Sequence, residues 1–357
     1  MKFKQLVTMT KKAGLLTVVV STAVLLSACK EQEIVSPQEF SGTENGAFTK
    51  SGRFFYTANL DATTKPNAIV EITKEEGEYK NTVILEGIVG GTPCSFNGMT
   101  AYKNNLYASC TFIGMVPDIP FPVPTHSVMI QIELDKAEDD PTRVQIAPLL
   151  GFGGLPNGMA ADKQGNIYVT DSASWTTTYG FGIPNFAIVK VGVSNDGAFS
   201  TDVQSWYEPD LGDAFPNGIR IRKNKVFFVT GSQIKRFDIN EDGSAGAFTE
   251  IYTADVCNII DDFDITHGDY IVATQVALND PAFMANVWPG VDCSATLPQG
   301  RLIGISGKGM GEKLGEYVFQ EGTLPSSAVF AKGRLFEPYS VITTAFFTGG
   351  VQKVSLD

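Results

Sequence analysis

The chain is poor in the residues that build soft-metal and nucleic-acid chemistry. Of its 357 residues two are histidine, His126 and His267, and five are cysteine, which leaves little from which to assemble a Cys/His zinc site. Positive charge is also short. There are 27 lysines and arginines against 39 acidic residues, which excludes nucleic acid as a partner, because phosphate neutralisation needs the opposite sign. No sustained helical period runs through the body of the chain, and the apolar run AGLLTVVVSTAVLLSA at residues 13–28 follows Lys2, Lys4, Lys11 and Lys12. A basic start, a short apolar core and small residues at its end make an export signal, not a spanning helix.

What the chain has instead is one pattern, repeated. Leu155 to Ser172, LPNGMAADKQGNIYVTDS, reads as an apolar residue and Pro, an Asn-Gly step, a short strand, a turn at Asp162 to Asn166, and the alternating strand IYVT ending at Asp171. That is a hairpin, with turn residues between two period-two runs. FPNGIRIRKNKVFFVT from Phe215 and SFNGMTAYKNNLYAS from Ser95 repeat it, and their asparagines Asn97, Asn157 and Asn217 are sixty residues apart. Fainter copies carry Glu44 (GTENGAFTKSGRFFYTA), Asp261 (IIDDFDITHGDYIVAT) and Ser326 (LPSSAVFAKGRLF) at the same place. A third short strand follows each copy: NAIVEI, SVMIQI, NFAIVKV, SQIKRFDI, GRLIGI and GVQKVSL. Six units of roughly 50 residues predict an all-β, six-bladed β-propeller of four-stranded blades over residues 42–357, a single domain that grows by repetition.

In a propeller the innermost strands converge on a central channel, so equivalent positions form a ring. An isolated Asn-Gly reads as a turn, since both residues tolerate positive φ. Three at one repeat position, joined by Glu44 and Asp261 at two more, read as a functional ring instead. Two carboxylates, several amide oxygens and no histidine or cysteine make an oxygen cage suited to Ca²⁺, with Mn²⁺ and Mg²⁺ as other divalent occupants, and disfavour zinc.

The segment Leu26, Ser27, Ala28, Cys29 resembles a bacterial lipoprotein cleavage box. The resemblance implies removal of residues 1–28, lipidation of Cys29 and membrane attachment through that lipid alone. Lys30 after the cysteine favours the outer membrane. Residues 29–41 then form a tether placed to lend an outer strand to the ring. Loss of residues 1–28 leaves 23 basic against 39 acidic residues, a net charge of −16. In an oxidising compartment the four remaining cysteines allow three pairings. Cys94 and Cys110 sit at the two ends of one inferred hairpin, which leaves Cys257 with Cys293; free buried thiols are the alternative.

The ordered blocks at Glu44, PNGMAADKQGNIYVTDS, FPNGIRI and DDFDI resemble the senescence-marker-protein/gluconolactonase family and its relatives, the paraoxonases and the squid-type diisopropyl-fluorophosphatases. The resemblance implies a divalent ion held by Glu44, Asn157, Asn217 and Asp261, and hydrolysis of a small-molecule lactone, ester or phosphotriester. It puts Asp262 where paraoxonases carry a second polar residue beside the aspartate, and leaves Asn97 and Asp262, with Trp175 and Tyr179, as candidates to face the substrate. The first block reads ENGAF where the family reads EGPVW or EGPVF, and no histidine lies where a paraoxonase dyad would need it. Asp261 is the candidate general base or nucleophile, on the argument that Asp262 and Asp264 beside it raise its pKa. Trp175, Tyr179 and Phe181 lie in the insertion SASWTTTYGFGIPN, which overhangs the channel mouth or packs a blade edge. Residues 111–125 form a second such loop. A binding propeller with a structural ion, and a metal-free lyase or strictosidine-synthase-like propeller, are the other readings.

Overall fold

A computed structural model describes residues 32–36, 41–61, 65–114, 123–148, 155–172, 188–193, 199–207, 216–266, 268–277, 279, 290–294, 296–307, 311–345 and 350–356. The described residues contain no helix. Their strands form six four-stranded antiparallel sheets and one small ribbon, Ile88–Val89 with Thr92–Pro93. The sheets are the blades of a six-bladed β-propeller.

From the axis outward, the first blade is Ser41–Phe48, Phe54–Asp61, Lys65–Glu75 and Glu78–Glu86. The second is Ser95–Tyr102, Asn105–Gly114, Val123–Glu133 and Val144–Pro148. The third is Pro156–Ala161, Ile167–Asp171, Ile188–Val193 and Phe199–Tyr207. The fourth is Pro216–Arg222, Lys225–Thr230, Gln233–Ile239 and Ala245–Thr253. The fifth is Asn258–Ile265, Tyr270–Ala277, Gln299–Ser306 and Lys313–Val318. The sixth has Pro325–Phe330, Ser340–Ala345 and Val351–Ser355 from the end of the chain, and its outer strand is Gln32–Ile34 from the start. Glu33 pairs with Lys353, and the Lys353 ammonium lies 2.6 Å from the Glu33 carboxylate. The expected tether thus supplies the strand that closes the ring, leaving no open seam between first and last blades.

A blade is covered on both faces by its neighbours, which is why the second strands FFYT, IYVT and VFFVT are apolar without alternation. Six buried clusters result, one per interface. Phe54 and Tyr56 face Val329 and Ile342 of the sixth blade, while Phe55 faces Phe96 and Leu106 of the second. Met159 and Val169 meet Tyr107 and Met129, and Tyr168 meets Phe228 and Phe237. Val229 meets Phe263, and Val272 meets Ala328. Truncating a fully buried ring such as Phe54 to alanine costs about 3–5 kcal/mol.

The inner hairpins close as read. At Asp162–Asn166, Asp162 Oδ1 accepts the N–H groups of Gln164 and Asn166, and Gly165 takes φ 96°. The cysteines pair Cys94–Cys110 and Cys257–Cys293, with Cα separations of 5.5 and 5.7 Å. The first pair staples the two ends of an inner hairpin.

Candidate functional site

Each inner strand carries one residue more than its partner over the same stretch. Thr43 pairs with Ala58 and Gly46 with Tyr56; Phe96 with Cys110 and Met99 with Ala108; Pro156 with Asp171 and Met159 with Val169. The offset recurs in the other three blades: Pro216 with Thr230 and Ile219 with Phe228, Ile260 with Gln275 and Phe263 with Ala273, Pro325 with Ala345 and Ser327 with Thr344. Such a bulge breaks the ladder and re-aims a side chain. Glu44, Asn97, Asn157, Asn217, Asp261 and Ser326 stand at its first position in all six blades.

The second bulge position faces the next blade, and this explains the glycines. A Cβ on Gly98 would lie 2.1 Å from the Asn157 carbonyl oxygen, and one on Gly158 would lie 2.3 Å from that of Asn217. On Gly218 it would lie 2.1 Å from Asp262 Oδ1. None of the three takes a positive φ. The Asn-Gly steps are therefore not turns. They lie inside strands, and glycine is needed because the neighbouring backbone comes so close.

Hydroxyls on the second strand hold the bulges and tie the blades together. Thr57, Ser109, Thr170 and Thr274 accept the bulge N–H groups of Asn45, Gly98, Gly158 and Asp262 at 2.7–3.1 Å. Ser109 also donates to the Pro156 carbonyl, Thr170 to that of Asn217 at 2.6 Å, and Thr344 to that of Glu44 at 3.0 Å. Aligning the second strands of the repeats shows a Thr or Ser here in every blade but the fourth, which has Val229. That signal lies in the sequence, but the reading of the inner strands alone missed it.

Electrostatically the ring is under-satisfied. Glu44 Oε2 and Asn157 Oδ1 are buried without a hydrogen-bond donor. Burial, and then the charge of Asp262, push Glu44 up to about 8. Asp261 is raised well above the ordinary carboxylate range by burial first, then by Glu44 and Asp262, and the Asn217 amide opposes this by donating to Asp261 Oδ1. Among the described residues no group of three or more His, Cys, Asp and Glu is placed to hold a metal ion. What the ring offers is two carboxylates from different blades and amide oxygens, an all-oxygen donor set with two acceptors lacking donors. That set fits a hard divalent cation, which would relieve the carboxylate repulsion. Asn97 donates to Thr111 Oγ1 at 3.0 Å, and the buried Ser326 hydroxyl lies 2.8 Å from that of Thr344.

The acidic neighbours of Asp261 take other positions than expected. Asp262, read as facing substrate, is 2 % exposed. It occupies the second bulge position, but unlike the glycines there its carboxylate meets the preceding, fourth blade, where Arg220 Nη2 binds its Oδ2 at 2.7 Å. Asp264 lies 3.7 Å from Arg220 Nε and accepts the Phe330 N–H at 2.9 Å. Arg220 is thus the counter-ion of two buried carboxylates and links blades four and five, while Asp264 carries the contact to blade six. The raised Asp261 owes its shift to burial first and then to Glu44, ahead of Asp262. Cys29, Trp175, Tyr179, Phe181 and His267 lie outside the described residues.

Below the bulge layer the channel widens into a cavity of about 420 Å³, lined by residues that follow the ring positions along the inner strands, among them Ala47, Met99, Ala160, Arg220, Ile221 and Val329.

No family model and no curated protein sequence matches the chain. Solved structures do. A gluconolactonase from Xanthomonas campestris matches at 13 % identity over 94 % of this chain and 92 % of that one, with a TM-score of 0.57. A luciferin-regenerating enzyme matches at 13 % identity over 91 % and 95 %, with a TM-score of 0.55. A virginiamycin B lyase from Staphylococcus aureus matches at 12 % identity over 92 % and 99 %, with a TM-score of 0.50. What the chain shares with these three proteins is the fold.

Proposed function

We propose that the protein is a divalent-metal-dependent hydrolase of a small lactone or ester, acting at the ring of Glu44, Asn157, Asn217 and Asp261. The observation that carries this reading is the gathering of two buried carboxylates from blades one and five beside acceptor oxygens that lack donors. Such an arrangement is costly in a protein interior unless something positive completes it. When bound, Ca²⁺ or another hard divalent ion would polarise the scissile carbonyl and stabilise the developing oxyanion.

The rest falls to the chain. Glu44 and Asp261 supply the negative charge that holds the cation, and the Asn157 and Asn217 side chains add amide oxygens and orient the substrate. In this reading Asp261 is also the general base. It accepts a proton from the attacking water, whose oxygen bonds to the acyl carbon. The acyl–oxygen bond of the ring or ester then breaks, and the alkoxide takes the proton back. Residues 1–28, in this reading, direct export, and Cys29 carries the lipid that attaches the enzyme to a membrane.

The test is calorimetric titration of the chelated domain, residues 30–357, with Ca²⁺, beside Glu44→Gln and Asp261→Asn, followed by assays on lactones, aryl esters and phosphotriesters. Tight binding weakened by both substitutions, with turnover lost in Asp261→Asn, is the expected result. Binding without turnover on any substrate class would favour a ligand-binding propeller braced by its ion. A wild type that binds no divalent ion would remove the proposal.

A further inference from the structure

The end of the channel opposite the ring has a chemistry of its own. In the five blades where it is described, the sixth residue after the ring position falls in the turn of the inner hairpin. In five blades that residue is lysine: Lys50, Lys103, Lys163, Lys223 and Lys332. In the sequence the corresponding residue of the fifth repeat is His267, outside the described residues. All five lysines are exposed, and among the described residues none is in an ion pair. Lys103 alone is engaged, its ammonium 5.2 Å from the Tyr102 ring centroid. A fivefold repetition of unneutralised positive charge stands out in a chain of net charge −12.

Lys223 and Lys332 stand at the rim of the 420 Å³ cavity, whose walls here include Ala47, Met99, Ala160, Ile221 and Val329. That volume lies in the range of small-ligand pockets. The two arginines in the wall are already compensated, Arg220 by Asp262 and Asp264, and Arg222 by Asp269 at 3.0 Å. The uncompensated positive charge is therefore at the rim, and the wall within mixes apolar side chains with polar ones such as Thr100 and Asp264. Farther out on the same face, the turns between third and fourth strands of the first, second and fourth blades are acidic, with Glu75 and Glu76, Asp139 and Asp140, and Glu241 and Asp242. A basic centre inside an acidic margin repels an extended polyanion but draws a small anion to the axis.

We propose that this mouth is a binding site for a small organic anion, with its body in the cavity and a carboxylate or phosphate head at Lys223 and Lys332. It is separate from the ring of Glu44 and Asp261 and does not depend on the hydrolase reading.

The test is calorimetric titration of the full-length protein, held in a non-ionic detergent, with hexanoate, hexyl phosphate and neutral hexanol. Runs at low salt are compared with runs at about 0.3 M, where the Debye length falls to roughly 6 Å. The Lys223→Gln/Lys332→Gln double variant removes exposed charge alone, and unchanged thermal melting confirms its fold. The expected result is saturable binding of one or both anions, weaker at high salt, reduced at least about tenfold in the double variant and unchanged in Asp261→Asn. The proposal is overturned if neither anion binds, if hexanol binds as well as hexanoate, if the double variant binds normally, or if phosphatidylserine vesicles compete the anions away.

Discussion

Replacing Arg220 with methionine tests whether the charges beneath the ring are as buried and as coupled as the geometry makes them. The Arg220 side chain is 18 % exposed, and its partners Asp262 and Asp264 are 3 % and 11 % exposed. Methionine keeps most of the volume and removes the one positive charge that two carboxylates share. Breaking a buried pair costs about 3–5 kcal/mol, because an uncompensated charge is left behind. The loss also has a ceiling, since Asp262 escapes by taking a proton. With an unfolded-state pKa of about 3.9, holding that proton at about pH 7 costs roughly 4 kcal/mol, and at about pH 5 roughly 1.5.

Asp262 already has its pKa raised, burial outweighing the Arg220 charge that pulls the other way. Removing Arg220 raises it further. A carboxylate raised in the folded state gives a contribution that is present at low pH and is lost as pH climbs from the unfolded to the folded pKa. Arg220→Met should therefore lose about 3–4 kcal/mol at about pH 7 and about half of that or less at about pH 5, measured by urea unfolding. Arg220→Met/Asp262→Asn should recover most of the loss at neutral pH. Asp264 keeps the N–H donors of Phe330 and Ile265 in either variant. A loss below about 1 kcal/mol that does not change with pH would refute the reasoning, as would a double variant no more stable than the single.

The same sign governs Glu44, pushed up to about 8 by burial and the Asp262 charge. In chelator the protein should be less stable at about pH 9 than at about pH 6, and excess Ca²⁺ should flatten that dependence in thermal melts. Gly158→Ala places a methyl 2.3 Å from the Asn217 carbonyl oxygen. It should cost about 1–3 kcal/mol in urea unfolding, or more if the blades cannot separate. Gly77→Ala, at a turn glycine with φ 93° and nothing within 4 Å of the added carbon, is its control for backbone strain alone. Cys94→Ala/Cys110→Ala removes a crosslink of sequence separation 16, and should lower unfolding free energy by about 3 kcal/mol.

The repeat by itself determined the architecture. A side-chain period of two, turns at fixed offsets and six copies of one hairpin admit few ways to bury both faces of every blade, and a ring of six does so. The positions converging on the axis were legible for the same reason, because symmetry carries Asn97, Asn157 and Asn217 to equivalent places. Cysteine positions at two ends of a hairpin likewise made Cys94–Cys110 readable.

What sequence could not settle is which of two adjacent residues faces the channel. In DDFDI the pattern alone leaves Asp261 and Asp262 equivalent; the one-residue bulge sends the first toward Asn217 and the second to Arg220. Nor could it tell that glycine after each asparagine answers the close approach of the next blade and not a turn. Both depend on the distance between blades, which no single strand contains. The lysines of the inner turns were present in five of the six copies, yet only the closed ring brings Lys223 and Lys332 to one cavity, since residues far apart in the chain become neighbours only when the blades pack.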